Sequence, residues 1–367
     1  MHKVSVIRTA CDAKLAAELE ALRQHRASGK KVAGYTCHAF PAAVLAGLGL
    51  WPARILCDTS ADAESAGEKV VRPDVCPLVK TLLGNVAEKR GLHGSVDLWI
   101  GLSTCDQMRR GMHSLSEHLA CEVHPIQFPA TRTQESAEYF ASQAKRLVAD
   151  IEARHGQRFN AGVAEQWQQD HDKAAAVLSR AARSGSVSPL DLHSMFHVFF
   201  LAQPAGLAEF FSKLIASAKP YRGSKTVVLA GGPITREDTA LMEELEERGY
   251  AVLPLNCTGL NAVEHEEIAP AGSDLIESLA HKAFTMPACT RSRPNTAVYT
   301  RIEETLKTSG ANGLIVKTLK FCDHWYTERE RLRRSFGVPV LVFDSDYAEG
   351  GRERILSRID AFLETLE

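Results

Sequence analysis

The sequence predicts an α/β protein of two similar parallel-sheet domains joined by a helical connector. Short apolar, strand-like runs alternate with amphipathic, helix-like runs through residues 31–132, and the alternation returns through 220–367. Between them, residues 133–219 carry helical periodicity with few strand signals. Cysteines follow strand-like runs in both halves, so the two halves share chemistry as well as pattern.

Residues 1–30 form an amphipathic N-terminal helix, MHKVSVIRTACDAKLAAELEALRQ leading into it without the basic-then-apolar order of a signal peptide. The first domain then reads strand KVAGYT, helix AAVLAGLG, strand ARILC, helix PLVKTLLGNVAEKRG, strand VDLWIG, helix DQMRRGMHSLSEHL and strand EVHPIQF. The connector includes ESAEYFASQAKRLVADIEARHG and AEQWQQDHDKAAAVLSRAARSG. The second domain reads TVVLAG, REDTALMEELEERG, YAVLPL, SDLIESLAHKAF, NTAVYTRIEETLKTSG, GLIVKT, YTERERLRRSFG and PVLVFD, strands and helices again in alternation. A site between the two domains follows from that arrangement.

With 367 residues, 45% hydrophobic and 24% charged, the chain has an ordinary globular composition and length enough for two cores. A net charge of -2 gives no reason to propose nucleic acid or an anionic membrane as partner. The two most apolar stretches, AFPAAVLAGLGLWPA and MFHVFFLAQPAGLAEFF, are broken by Pro and Gly before they reach the length of a membrane span. The expected location is the cytoplasm, where nine cysteines mean free thiols, metal ligands or catalysts rather than disulfides.

Six of the nine stand in turn-like motifs. Cys37 follows KVAGYT, Cys105 follows VDLWIGLST, Cys257 follows YAVLPLN and Cys322 follows GLIVKTLKF. Loops after strands converge at the carboxyl edge of an open α/β sheet, so thiols repeated there read as a site. Cys76 in RPDVCPLVK and Cys289 in TMPACTRSRPN are expected where a loop enters a helix, a place that favours thiolates. No two of the six are spaced for a zinc ribbon, so the fold must assemble them. Cys11, in the N-terminal helix, and Cys121, at the entry to a strand, read as small buried hydrophobes, and Cys57 is left undecided.

The turn in LAGGPITRED could aim backbone N–H groups at an anion, but it lacks the Lys-Ser/Thr of a P-loop and the third Gly of a dinucleotide fingerprint, and a plain tight turn is the better reading. His38 and His324 lie one and two residues from Cys37 and Cys322, where beside a redox centre they could deliver protons. The charge-rich helices REDTALMEELEERG and TERERLRRSFG read as solvated faces.

Together these motifs resemble the 2-hydroxyacyl-CoA dehydratase and benzoyl-CoA reductase subunit family. The resemblance rests on GYTCHAFPAAVLAGLGLWPARI, DVCPLVKTLLG, STCDQMRRGMH, KFCDHW and the closing GVPVLVFDSDY, and it runs from Lys31 to Phe362. It implies two flavodoxin- or Rossmann-like domains with a 4Fe-4S cluster between them, held by Cys76, Cys105 and Cys322. Cys37, Cys257 in LNCTGLNAVE and Cys289 in PACTRS resemble the additional cysteines of the double-cubane cluster protein branch, whose two cubanes share a bridging sulfide. Six cysteines match the six irons left to be capped. The resemblance further implies an anaerobic iron–sulfur reductase of a small molecule, a homodimer, fed electrons by a separate ATP-hydrolysing activator with its own 4Fe-4S cluster. The alternatives are a dehydratase subunit with a single 4Fe-4S cluster, eliminating water from a CoA thioester through a ketyl radical, and a non-catalytic electron carrier or cluster scaffold.

Overall fold

The computed structural model describes residues 5–56, 58–265, 274–347 and 351–366. Cys57 lies outside the described residues. The α/β reading holds, with eight strands in two four-stranded, all-parallel sheets. The first contains β1 (Val32–Tyr35), β2 (Trp51–Arg54), β3 (Leu98–Leu102) and β4 (Glu122–Ile126) in the order β2-β1-β3-β4. The second contains β5 (Lys225–Gly231), β6 (Tyr250–Asn256), β7 (Gly313–Leu319) and β8 (Val340–Ser345) in the order β6-β5-β7-β8. The two topologies are the same, strand for strand.

Both central-strand runs, LWIGL in β3 and GLIVKTL in β7, are buried throughout, as befits strands covered by helices on both faces. β2 begins two residues earlier than the apolar run ARILC indicates, because Trp51 and Pro52 pair with Val32 and Ala33. Proline is tolerated there because β2 is an edge strand with a side free of ladder bonds.

The long helices between the sheets start on side-chain caps. Thr133 Oγ1 accepts from Ser136 N ahead of helix Gln134–His155, and Asn160 Oδ1 accepts from Val163 N ahead of helix Ala161–Ser184. Helices Pro189–Leu201 and Leu207–Ser217 follow, separated at the Gln203-Pro204 break. Of the run YTERERLRRSFG, Tyr326 ends helix Asp323–Tyr326 and the helical part proper is Arg329–Ser335.

The two halves interlock. Helix Leu275–Phe284 follows β6 in sequence, yet Leu279, Ala280, Ala283 and Phe284 pack in one core with Phe140, Leu147 and the apolar residues of β1 and β3. In the other direction, Ile7 and Cys11 of helix Val6–Ala27 join the core that contains Val228, Leu253 and Val316. These exchanges fix the carboxyl edges of the two sheets against each other.

Candidate metal centre

In the order β2-β1-β3-β4 the chain leaves β1 toward one side and reaches β3 on the other. That reversal opens a crevice beyond the carboxyl ends of the two strands, and the same holds for β5 and β7. Cys37 comes two residues after β1, Cys105 three after β3, Cys257 directly after β6 and Cys322 three after β7. All six cysteines singled out by sequence line two adjoining cavities between the halves. A cavity of about 140 Å³ is lined by Cys76, Cys105, Cys257, Cys289 and Cys322. Its neighbour, about 320 Å³, is lined by Cys37, Cys105 and Cys289, so two thiols are shared. Cys11 and Cys121 line neither.

Local structure explains how each thiol is presented. Cys105 is the extended N-cap of helix Asp106–Leu119, and its Sγ accepts from Met108 N at 3.4 Å. Cys76 caps helix Pro77–Ala87, where a proline at the first helical position needs no hydrogen-bond partner for its nitrogen. Gln107 Oε1 accepts from Cys76 N at 3.3 Å, tying these two caps together. Cys322 follows Phe321, whose φ of 60° is unusual for an aromatic residue, and this kink turns the chain out of β7. Cys289 departs from expectation. It sits in the loop between helices Leu275–Phe284 and Thr296–Ser309, well before the latter begins, because RSRPN intervenes. What carries it to the site is the docking of helix Leu275–Phe284 on the first half.

The thiols influence one another in two overlapping sets, with Cys105 and Arg291 reaching into both. Burial pushes Cys76 up to about 12, reinforced by Cys322 and Cys105, and Cys322 is likewise raised by burial and then by Cys105. Burial pushes Cys37 up to about 11 and raises Cys257, and Cys289 adds to both. Arg291 stands among them, its Nη1 3.7 Å from Cys289 Sγ. Burial opposes its charge, yet the thiols of Cys289, Cys105, Cys37 and Cys257 hold its pKa well above the ordinary arginine value. Such a residue is a ready counter-ion for thiolates.

His38 and His324 both line both cavities. Burial holds His38 well below the usual histidine range, with Arg54 and Arg291 adding to the effect, and its Nδ1 has no partner. Burial also lowers His324, whose Nδ1 lies 3.4 Å from Arg293 Nη2. Sequence reasoning missed Arg54 and Arg291. The available signals were an arginine inside the apolar run WPARIL and one two residues beyond Cys289.

The Gly-Gly-Pro turn lines the first cavity, but its N–H groups are engaged within the protein. Gly232 N donates to Lys317 O at 2.7 Å and Ile234 N to Thr258 Oγ1 at 2.8 Å, so the tight-turn reading stands. At the opposite edge of the first sheet, Glu122, His124 and His155 bring ligand atoms within 4.8 Å. These groups close an ion-pair chain: His124 Nδ1 meets Asp150 at 2.7 Å, and His155 Nδ1 meets Lys31 Nζ at 2.9 Å. An ammonium on that nitrogen opposes the N–H it would carry if the other nitrogen bound a metal.

Six thiols, helix N–H groups and a central guanidinium fit a thiolate-held, anionic iron–sulfur group. The donor number exceeds the four of a tetrahedral zinc site.

The model of the family described as "2-hydroxyglutaryl-CoA dehydratase, D-component" matches residues 37–366. Among curated relatives, the Escherichia coli (strain K12) protein named "Putative dehydratase subunit YjiM" is 22% identical over 331 residues, covering 85% of each chain. The "(R)-phenyllactyl-CoA dehydratase beta subunit" of Clostridium sporogenes is 22% identical over 310 residues, covering 80% of each. A solved structure of the SBP FpvC from Pseudomonas aeruginosa with Mn2+ aligns with 92% of this chain and 100% of its own, at 13% identity and a TM-score of 0.23, too low to carry any argument. No described helix is long and apolar enough to cross a membrane. With a family model matching residues 37–366, the chain belongs to the 2-hydroxyglutaryl-CoA dehydratase D-component family, a family of dehydratase-type enzyme subunits.

Proposed function

We propose that this chain is an iron–sulfur reductase of the double-cubane type, holding two joined 4Fe-4S cubanes and reducing a small molecule with electrons from an ATP-hydrolysing activator. The observation that carries the reading is the convergence of six thiols from both halves on two adjoining cavities. Cys76, Cys105 and Cys322 would cap one cubane, and Cys37, Cys257 and Cys289 the other. When bound, the group supplies electrons at low potential.

The chain's own residues do the rest. The thiolate sulfurs would hold the iron, and the Met108 N–H bond to Cys105 Sγ orients that side chain. Arg291 offsets the negative charge that six thiolates bring into a buried site. Apolar walls, including Leu78, Leu319 and Trp325, keep water from the cavity. His38 and His324 hold or move protons at their ring nitrogens, since both face both cavities. We assign the protein to the cytoplasm as a homodimer that meets its activator there.

A second reading is favoured by the names of the relatives, which are dehydratase subunits. In it, the chain carries one 4Fe-4S cluster on Cys76, Cys105 and Cys322 and works beside a different subunit on a 2-hydroxyacyl-CoA. An anaerobic assay with activator and ATP separates the readings. Reduction of a small molecule by this chain alone, and poor turnover when a mild donor replaces activator and ATP, is the expected result. Turnover of a hydroxyacyl thioester only after a second subunit is added selects the dehydratase. A reduced protein that turns over neither is a carrier or scaffold.

A further inference from the structure

Arg54 ends the edge strand β2 and is 3% exposed, yet among the described residues no carboxylate pairs with it. Its guanidinium instead spans the two halves. Nε donates to Thr36 O at 3.2 Å, on the residue before Cys37, and Nη2 donates to Cys257 O at 2.7 Å. The plane lies 4.2 Å from the Phe200 ring centroid, which fixes its orientation without neutralising it. Nη1 is buried and has no hydrogen-bond partner among the described residues.

A guanidinium in this setting requires an anion, because a buried charge without one is strongly disfavoured. Among the described residues, the cavity on its other side does not provide it. Lys282 and His265 line that cavity, and the nearby Asp172 is already paired with Lys282. The remaining candidates are the thiolates of Cys37, which follows the first carbonyl, and of Cys257, which carries the second.

We infer that Arg54 is a positioning residue of the thiol site, clamping the exit loops of β1 and β6 together and supplying, beside Arg291, a fixed positive charge to the Cys37, Cys257 and Cys289 half. Resting on the two-cubane reading, the inference makes the halves unequal. A fixed cation stabilises added negative charge nearby, so the Arg54 half accepts an electron at a higher potential than the half on Cys76, Cys105 and Cys322. Arginine suits the task because one planar fork reaches two carbonyls, which a lysine ammonium on a single stem does not.

The test uses the anaerobically prepared holoprotein, with iron analysis, an EPR-monitored redox titration and amide hydrogen exchange on the wild type, Arg54→Gln and Arg54→Lys. Arg54→Gln is expected to move one EPR component to a more negative potential, leave the other in place, and speed exchange around 36–38 and 257–259. Arg54→Lys, which keeps the charge, is expected to fold, to move the same component less and to loosen both segments. It therefore decides the matter if the glutamine variant does not fold. Equal shifts of both components, or none, at wild-type iron content overturn the inference. A wild-type protein with a single component and about four irons per chain overturns the two-cubane reading instead. In that protein unchanged exchange at both segments on loss of Arg54 still overturns the clamp.

Discussion

Cys11 and Cys105 show how the same side chain is given different work by its surroundings. Cys11 is sealed in an apolar core, where burial pushes its thiol up to about 12. Cys105 caps a helix at the wall of both cavities. The distinction was legible in sequence because a thiol after a strand and before a helix has its place fixed by the fold, while one on an amphipathic helix has it fixed by the apolar stripe. Arg54 and Arg291 were not legible, since a charged residue in or near an apolar run gives no sign of what it faces across a domain boundary. Replacing His38 or His324 by Ala should slow reduction more than it lowers iron content, and unchanged rates for both would remove them from proton delivery. A different histidine, His93, tests burial itself. It is 5% exposed, its Nδ1 has no partner, and burial pushes its pKa down to about 4. Its neutral form is thus the folded one. Stability from this group is fully present above the unfolded value near 6.5 and is lost as pH falls toward about 4, by up to about 3 kcal/mol. Urea unfolding at neutral and acid pH should show that loss in the wild type and a flatter profile in His93→Leu.

At the scale of elements, the site depends on how strands end. Gly231 closes β5 at φ 112°, and a Cβ there would meet Lys317 O at 2.0 Å, a backbone atom that cannot step aside. Gly231→Ala should therefore destabilise the protein by about 3 kcal/mol, by strain and overpacking, and disturb the cavity wall that Gly232 and Pro233 form. Thermal unfolding that matches wild type would contradict the close approach. Strand and helix runs were read nearly in place, because period-2 and period-3.6 patterns are local. What was misplaced has a local reason too. β2 starts at Trp51 since pairing with β1, rather than the apolar run, sets its register, and Pro52 is harmless at an edge. Helix Thr296–Ser309 forms where NTAVYTRIEETLKTSG indicates, and it is Cys289 that falls short of a helix entry, with RSRPN between.

For the whole molecule, the sequence order of the halves conceals their exchange of parts. Helix Leu275–Phe284 belongs by sequence to the second half and by packing to the first, and it delivers the Cys289 loop. Phe284 anchors it against Phe128 and Phe140, with the Arg132 guanidinium 5.3 Å from its ring centroid. Phe284→Ala should cost about 3 kcal/mol and also lower iron content, through Cys289, although Phe284 touches neither cavity. Lost stability with full iron would show that the loop holds its place unaided. The central claim is that six thiols, gathered from both halves, hold two cubanes. Iron and sulfide analysis of anaerobically prepared wild type, Cys257→Ser, Cys11→Ser and Cys121→Ser tests it most directly. The account predicts about eight irons per chain in the wild type, about half of them lost or disordered in Cys257→Ser, and no change in the other two variants. About four irons in the wild type, unaffected by Cys257→Ser, would contradict it and place the chain with the single-cluster dehydratase subunits.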